Sequence, residues 1–247
     1  MRDKIVKSDI EETFKSHPAY GHRRLAIELS MNHKKVLRIM HKYNIQPPRL
    51  WYQKRFTTES DTDYQMEYRN VLQDTDIKGY GINDIWSSDL TYIKYQSKFY
   101  YLAIIQDIIS KEIVGFNISD KHDSDLVLKT LKEAVSYTKK VPKIFHSDRG
   151  REFLSTTCTN FLESLNIAIS VSDPGSPWQN AWRESFFSRF KNESGHFSRF
   201  ESLGEVIEHI FGYVNYYNKT RIHSTIKMSP YQFKQKYSES SLKKRGT

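Results

Sequence analysis

Three carboxylates stand where this chain could hold a hard divalent cation: Asp89, Asp148 and Glu184. Asp89 interrupts the apolar, aromatic run IWSSDLTYIKY, and Asp148 closes KIFHSD. Glu184 lies in the first turns of AWRESFFSRFKNE, behind SDPGSPWQN, a stretch rich in turn formers. Magnesium and manganese take carboxylate oxygen and water in preference to thiolate or an imidazole cage. Two such ions about 3.5–4 Å apart can activate an attacking oxygen and stabilise a leaving one, which is what phosphodiester transfer requires. The expected cofactor is therefore Mg²⁺ or Mn²⁺, two ions per site. Each residue alone has a plainer reading: Asp89 as a solubilising edge-strand charge, Asp148 as a turn former, Glu184 as an acid suited to a helix N-terminus. Three clustered carboxylates with neither metal nor counter-charge would repel one another.

Those side chains need a scaffold, and the hydrophobic period supplies one. From Ile85 it is that of strands: IWSSDLTYIKY, KFYYLAIIQDII and EIVGFNIS form a three-strand meander. A helix (DSDLVLKTLKEAVSYTKK), a short strand (KIFHSD), a helix (STTCTNFLESLN), a strand (AISVS) and the Glu184 helix follow. The order β-β-β-α-β-α-β-α is that of an α/β, ribonuclease-H-like fold. In that fold the first and fourth strands are neighbours, which takes both aspartates to one edge of the sheet. A last long helix is expected over Leu203–Tyr217.

Ahead of the core, residues 1–16 read as a helix, and YGHRRLAIELSMNHKKVLRIMHKYNIQPP as two helices with a turn between them, the second capped by Asn32 and stopped by Pro47 and Pro48. Val36, Ile39, Met40 and Tyr43 make its packed face, while Lys34, Arg38 and Lys42 recur every four residues as a basic stripe. The pair resembles a helix-turn-helix unit that would lay this stripe on DNA; an ordinary hairpin with a solvated lysine face is the alternative. The expected division is a helical DNA-binding domain over 1–48, a connector over 49–84 with some helix around Tyr64–Leu72, a catalytic core over 85–195, and a helical extension with a basic tail over 196–247.

Lysine plus arginine outnumber aspartate plus glutamate 38 to 29, a formal net charge of +9, which suits a polyanionic partner. Cys158 is the single cysteine, so there is neither a disulfide framework nor a cysteine zinc cluster, and a reducing, cytoplasmic setting is expected. No stretch approaches the roughly 20 apolar residues of a membrane-spanning helix, so no membrane partner is expected.

At the three carboxylates the resemblance becomes specific. NDIWSSDLTYI is similar to the first-aspartate motif of bacterial insertion-sequence transposases of the DDE type, relatives of retroviral integrases, and HSDRGREF to the second. SDPGSPWQNAWRESFFSRFKNE resembles their glutamate motif, and YYNKTRIHSTIKMSPYQF their C-terminal signature. Between Asp89 and Asp148 lie 58 residues, and between Asp148 and Glu184 lie 35, the second being the spacing that names the class. The likeness is greatest to the insertion-sequence-three family, and within it to the catalytic product of the downstream reading frame. YGHRRLA resembles the small domain preceding that family's core, so the resemblance spans nearly the whole chain. It implies metal-dependent cleavage at transposon ends and strand transfer into target DNA by an Asp89, Asp148, Glu184 triad. It also implies a homo-oligomer assembled on terminal inverted repeats, at the bacterial nucleoid. An upstream-frame product, supplied separately or as a fusion, would add a DNA-reading segment that this chain lacks.

Secondary candidates surround the triad. His146 could support a metal ligand from the second shell, touch DNA, or simply pack at a strand end. Asn180 could hydrogen-bond near the site and DNA, or cap the helix. Lys191, two turns beyond Glu184, could grip a phosphate or be solvated. Arg221 and His223 could meet DNA or be structural. The rival functions are a nuclease of the same fold that only hydrolyses, and a non-catalytic DNA-binding regulator.

Overall fold

The structure is a computed structural model that describes residues 2–47, 68–173 and 181–245, with side chains described throughout these except at 2, 181–185 and 241–245. Three helices open the chain: α1 (Arg2–Ser16), α2 (His22–Glu28) and α3 (His33–Lys42). Asn32 caps α3, its side chain accepting from the Lys34 amide. The helix stops before the prolines. Asn44 takes a left-handed conformation (φ 51°) and the Ile45 amide returns to the Met40 carbonyl at 2.8 Å, a Schellman closure. Val6, Ile10, Leu25, Val36 and Ile39 join the three helices in one apolar cluster, which also takes in Ile222 from far along the chain.

The meander forms as expected: β1 (Ile85–Tyr95), β2 (Lys98–Asp107) and β3 (Ile113–Ser119), all antiparallel. After α4 (Ser124–Thr138), β4 (Ile144–Ser147) pairs parallel to β1. After α5 (Thr156–Ser164), β5 (Ala168–Val171) pairs parallel to β4. The order β3-β2-β1-β4-β5 is the ribonuclease-H-like sheet, with β1 central and not at an edge.

Both faces of this sheet are covered, which is why its strands read as near-continuous apolar runs. Trp86, Ile105, Val114 and Phe145 face α4 and α5. Ile93, Tyr95, Leu102 and Ile104 face α6 (Ala181–Ser194) and α7 (Leu203–Lys219), meeting Phe186, Phe190, Val206, Ile210 and Tyr217. At Gly115 the sheet and α4 nearly touch: an added Cβ would lie 2.7 Å from the Thr130 carbonyl oxygen and 2.9 Å from the Ala134 Cβ. Gly115→Ala is therefore expected to cost about 1–3 kcal/mol through overpacking, read as a shifted denaturant midpoint; an unchanged midpoint would contradict this packing.

Two expectations are corrected. Residues 68–72 are bend and turn, not helix, while Tyr64–Glu67 lie outside the described residues. There the backbone is tied elsewhere: the Val71 amide donates to Ser170 Oγ (3.0 Å) and the Leu72 amide to Asn70 Oδ1 (3.2 Å). The helix over Leu203–Tyr217 is not the last: α8 (Pro230–Arg245) follows it within the C-terminal extension. Ser229 and Gln232 cap it reciprocally, the Gln232 amide donating to Ser229 Oγ (3.3 Å) and the Ser229 amide to Gln232 Oε1 (3.1 Å). Pro230 at the first helical position suits that start. No described helix is long and apolar enough to cross a membrane.

Candidate active site

Asp89 lies in the middle of β1, on the side chain alternation that continues through Ile93 and Tyr95 to the α6 face. β1 and β4 run parallel with Ser87 opposite His146. Carried two residues onward, this register sets Asp89 level with Asp148, and with no change of face. Adjacent strands lie about 4.8 Å apart, so Asp89 on β1 and Asp148 just past the end of β4 stand side by side at one level of the sheet. Asp148 sits one residue past β4, where its Oδ1 accepts from the Gly150 amide (3.0 Å), and Asp89 Oδ1 accepts from the Leu90 amide (2.8 Å).

The helix on that face is α6, fixed by Phe186 and Phe190 in the core. Glu184 belongs to its first turns, but its side chain lies outside the described residues, as does Asn180 entirely. Among the described side chains, no three of histidine, cysteine, aspartate and glutamate gather as a metal set. Lys191, farther along α6, comes within the field of Asp89. Its ammonium stands 4.5 Å from the centre of the Tyr92 ring. Burial pushes its pKa down to about 8, against the opposing field of Asp89.

His146, two residues before Asp148 and paired with Ser87 of β1, is buried. Nδ1 lies 2.9 Å from Ser170 Oγ and Nε2 3.3 Å from Ser172 Oγ. Those serines, Ser170 on β5 and Ser172 just past its end, were missed in the sequence reading. Their signal was the i, i+2 spacing in AISVS, which puts both hydroxyls on one face.

The stripe on α3 is exposed but engaged. Arg38 meets Asp3 of α1 through two hydrogen bonds (2.8 and 3.1 Å), and Lys42 meets the same carboxylate at 2.8 Å. Lys34 is exposed at the start of α3. Arg221 is buried against Glu193 of α6, donating from Nε at 2.9 Å and also through Nη2, while the Tyr213 hydroxyl donates to the same carboxylate at 3.0 Å. His223 is buried, and that burial, then Arg189, drives its pKa down to about 3.

A mixed five-stranded sheet of this order, with helices on both faces, is the fold of the integrase class of catalytic cores. Two family models described as "Integrase core domain" match, over residues 79–177 and 165–230. The transposase for insertion sequence element IS904 of Lactococcus lactis is 29% identical, with 89% of each chain covered. Transposase InsF for insertion sequence IS3A of Escherichia coli is 30% identical over 74% of this chain and 65% of its own. Among solved structures, a simian T-cell lymphotropic virus intasome in complex with a PP2A regulatory subunit shares the fold, with a TM-score of 0.55 and 16% identity over 89% of this chain and 72% of that one. The chain belongs to the insertion-sequence transposases of the IS3 type, which carry an integrase-like core for cutting and transferring DNA.

Proposed function

We propose that Asp89, Asp148 and Glu184 form the catalytic triad of this transposase and hold two Mg²⁺ or Mn²⁺ ions at the ends of its element. The observation that carries this reading is the parallel register of β1 and β4, which pairs Ser87 with His146 and so brings Asp148, one residue past β4, level with Asp89 on β1, on the sheet that α6 with Glu184 covers. The donor set fits the ion: all three are hard, anionic oxygen ligands, and a cation between neighbouring carboxylates relieves their repulsion. When bound, the ions make a nucleophilic oxygen available at neutral pH and stabilise the leaving oxygen. The chain itself contributes position. Core packing of Phe186 and Phe190 holds α6 against β1, and the hydrogen bonds at Gly150 and Leu90 restrict the aspartate side chains. His146, locked between Ser170 and Ser172, stiffens the strand end that carries Asp148. No nucleotide loop is needed, because a 3′-hydroxyl attacks a phosphodiester without ATP.

The DNA partners in this reading are the terminal inverted repeats and the target duplex, bound by a homo-oligomer at the nucleoid of a bacterial cell. Lys191 lies along the path of the bound end, Asn180 is a further DNA-contacting residue in this reading, and an upstream-frame product assists in finding the end. The test is strand transfer on a labelled element end with and without Mg²⁺. Cleaved and joined products only with metal are expected. Cleavage with no joined product from a pre-cut end would leave a nuclease, and DNA binding without cleavage a regulator.

Two further results follow from the cations. Replacing Lys34, Arg38 and Lys42 with glutamine should weaken DNA binding and flatten its salt dependence by up to about 0.9 per lost phosphate contact. Asp3→Asn should do the reverse, because it frees Arg38 and Lys42 from a competing carboxylate. Unchanged salt slopes in both variants would make the stripe a solvated face. Lys191→Ala should weaken end binding and slow cleavage, with partial rescue at low salt, whereas Lys191→Arg should be mild because a phosphate accepts either cation. Full activity of the alanine variant at moderate salt would remove Lys191 from the site.

A further inference from the structure

A second concentration of positive charge lies on the other side of α6. Arg189 and Glu193 are five and nine residues beyond Glu184, which at 100° per residue turns them about 140° and 180° away from it. Arg221, just after α7, and Arg24 of α2 meet them there. The Tyr20 hydroxyl accepts from the Ile222 amide at 2.8 Å, which pins the N-terminal helices to this place. Arg24 stands 5.8 Å from the centre of the Tyr20 ring, and Arg221 5.8 Å from that of Tyr217.

Among the described residues, three guanidinium groups here share one carboxylate, Glu193. Glu193 is taken by Arg221 and Tyr213. Arg221 is 1% exposed, yet its Nη1 has no hydrogen-bond partner among the described residues, and neither do the buried Arg24 Nε and Arg189 Nη1. Guanidinium N–H groups taken out of water without acceptors are costly, and several positive charges with one counter-charge are more so. The surroundings register the excess. Burial and then Arg221 and Arg189 hold Arg24 down to about 10. Arg24 and Arg189 are partly buried and not fully enclosed, so the cluster reaches solvent on their side.

We propose that Arg24, Arg189 and Arg221 form a binding site for a phosphate-type oxyanion, separate from the metal site and assembled only when α2, α6 and the segment after α7 come together. Tetrahedral oxygens bearing negative charge match planar guanidinium donors in both geometry and sign. The chemistry admits two sources, a DNA backbone phosphate or free inorganic phosphate. A backbone phosphate there would tie DNA to the back of the catalytic helix and to the N-terminal helices at once.

The test is thermal unfolding of the full chain, without divalent metal, in rising inorganic phosphate with chloride adjusted to constant ionic strength. At tenfold excess over the dissociation constant, the parent should gain about 3–6 °C. Arg24→Gln and Arg189→Gln, each compared with its own phosphate-free baseline, should lose that gain. If Arg189→Gln does not fold, Arg24→Gln, on the short helix α2 at a partly exposed position, carries the same readout. Repeating the titration on the DNA-bound protein separates the sources: DNA that abolishes the gain has placed its own phosphate in the site, and a gain that persists assigns the site to free phosphate. No gain in the parent, or equal gains in parent and variants, overturns the proposal.

Discussion

Asp148→Asn is expected to abolish both cleavage and strand joining while DNA binding persists. The change preserves size and removes the charge that a hard cation requires. It acts where the β4 end meets the middle of β1, so the loss falls on the reacting centre and not on the fold. The expected fall in rate is at least about a thousandfold, or roughly 4 kcal/mol of transition-state stabilisation. Equal loss in cleavage and in joining of a pre-cut end is part of the expectation, because one site serves both steps. Gel shifts on the same preparation check that the DNA is still bound. Near-parental cleavage by this variant would sink the triad.

The largest expected effect on stability is at Arg221. Its side chain is buried against Glu193, whose carboxylate is only 10% exposed. Arg221→Ala leaves that carboxylate buried without its cation, which typically costs about 3–5 kcal/mol and lowers Tm by about 6–20 °C in a chain of this size. Replacing both residues with methionine should recover most of the loss, since the paired charges contribute far less than an orphaned one costs. A small loss in Arg221→Ala, or no recovery in the double variant, would show that the pair is not what holds α6 to the end of α7. This also decides between the two roles left open for Arg221, whose guanidinium binds the fold first and has one nitrogen left for a ligand.

What could be read from the sequence was local or periodic. The strand runs around Asp89 and Asp148 were legible because both sheet faces are buried, and the α3 cap because Asn32 acts two residues away. What escaped depended on distant segments meeting. Asp3 and Arg38 are 35 residues apart, and nothing in either stretch announces that packing α1 on α3 turns part of the basic stripe toward a carboxylate. The Glu193 to Arg221 pair and the His146 to Ser170 contact are of the same kind. α8 escaped for another reason: its apolar residues, Tyr231, Phe233 and Tyr237, do not follow one helical stripe, and the capping signal at Ser229 and Gln232 was overlooked behind a lysine-rich composition. The connector near Asn70 lacks helix because its amides are spent on Ser170 and on Asn70 itself.

The most direct measurement is the position of Mn²⁺ by anomalous scattering in crystals of the chain bound to a terminal repeat of its element. Two Mn²⁺ peaks coordinated by carboxylate oxygens of Asp89, Asp148 and Glu184, with the scissile phosphate between them, are expected. Mn²⁺ held by other residues, or DNA seated with its end away from Asp89 and Asp148, would contradict the assignment of this site.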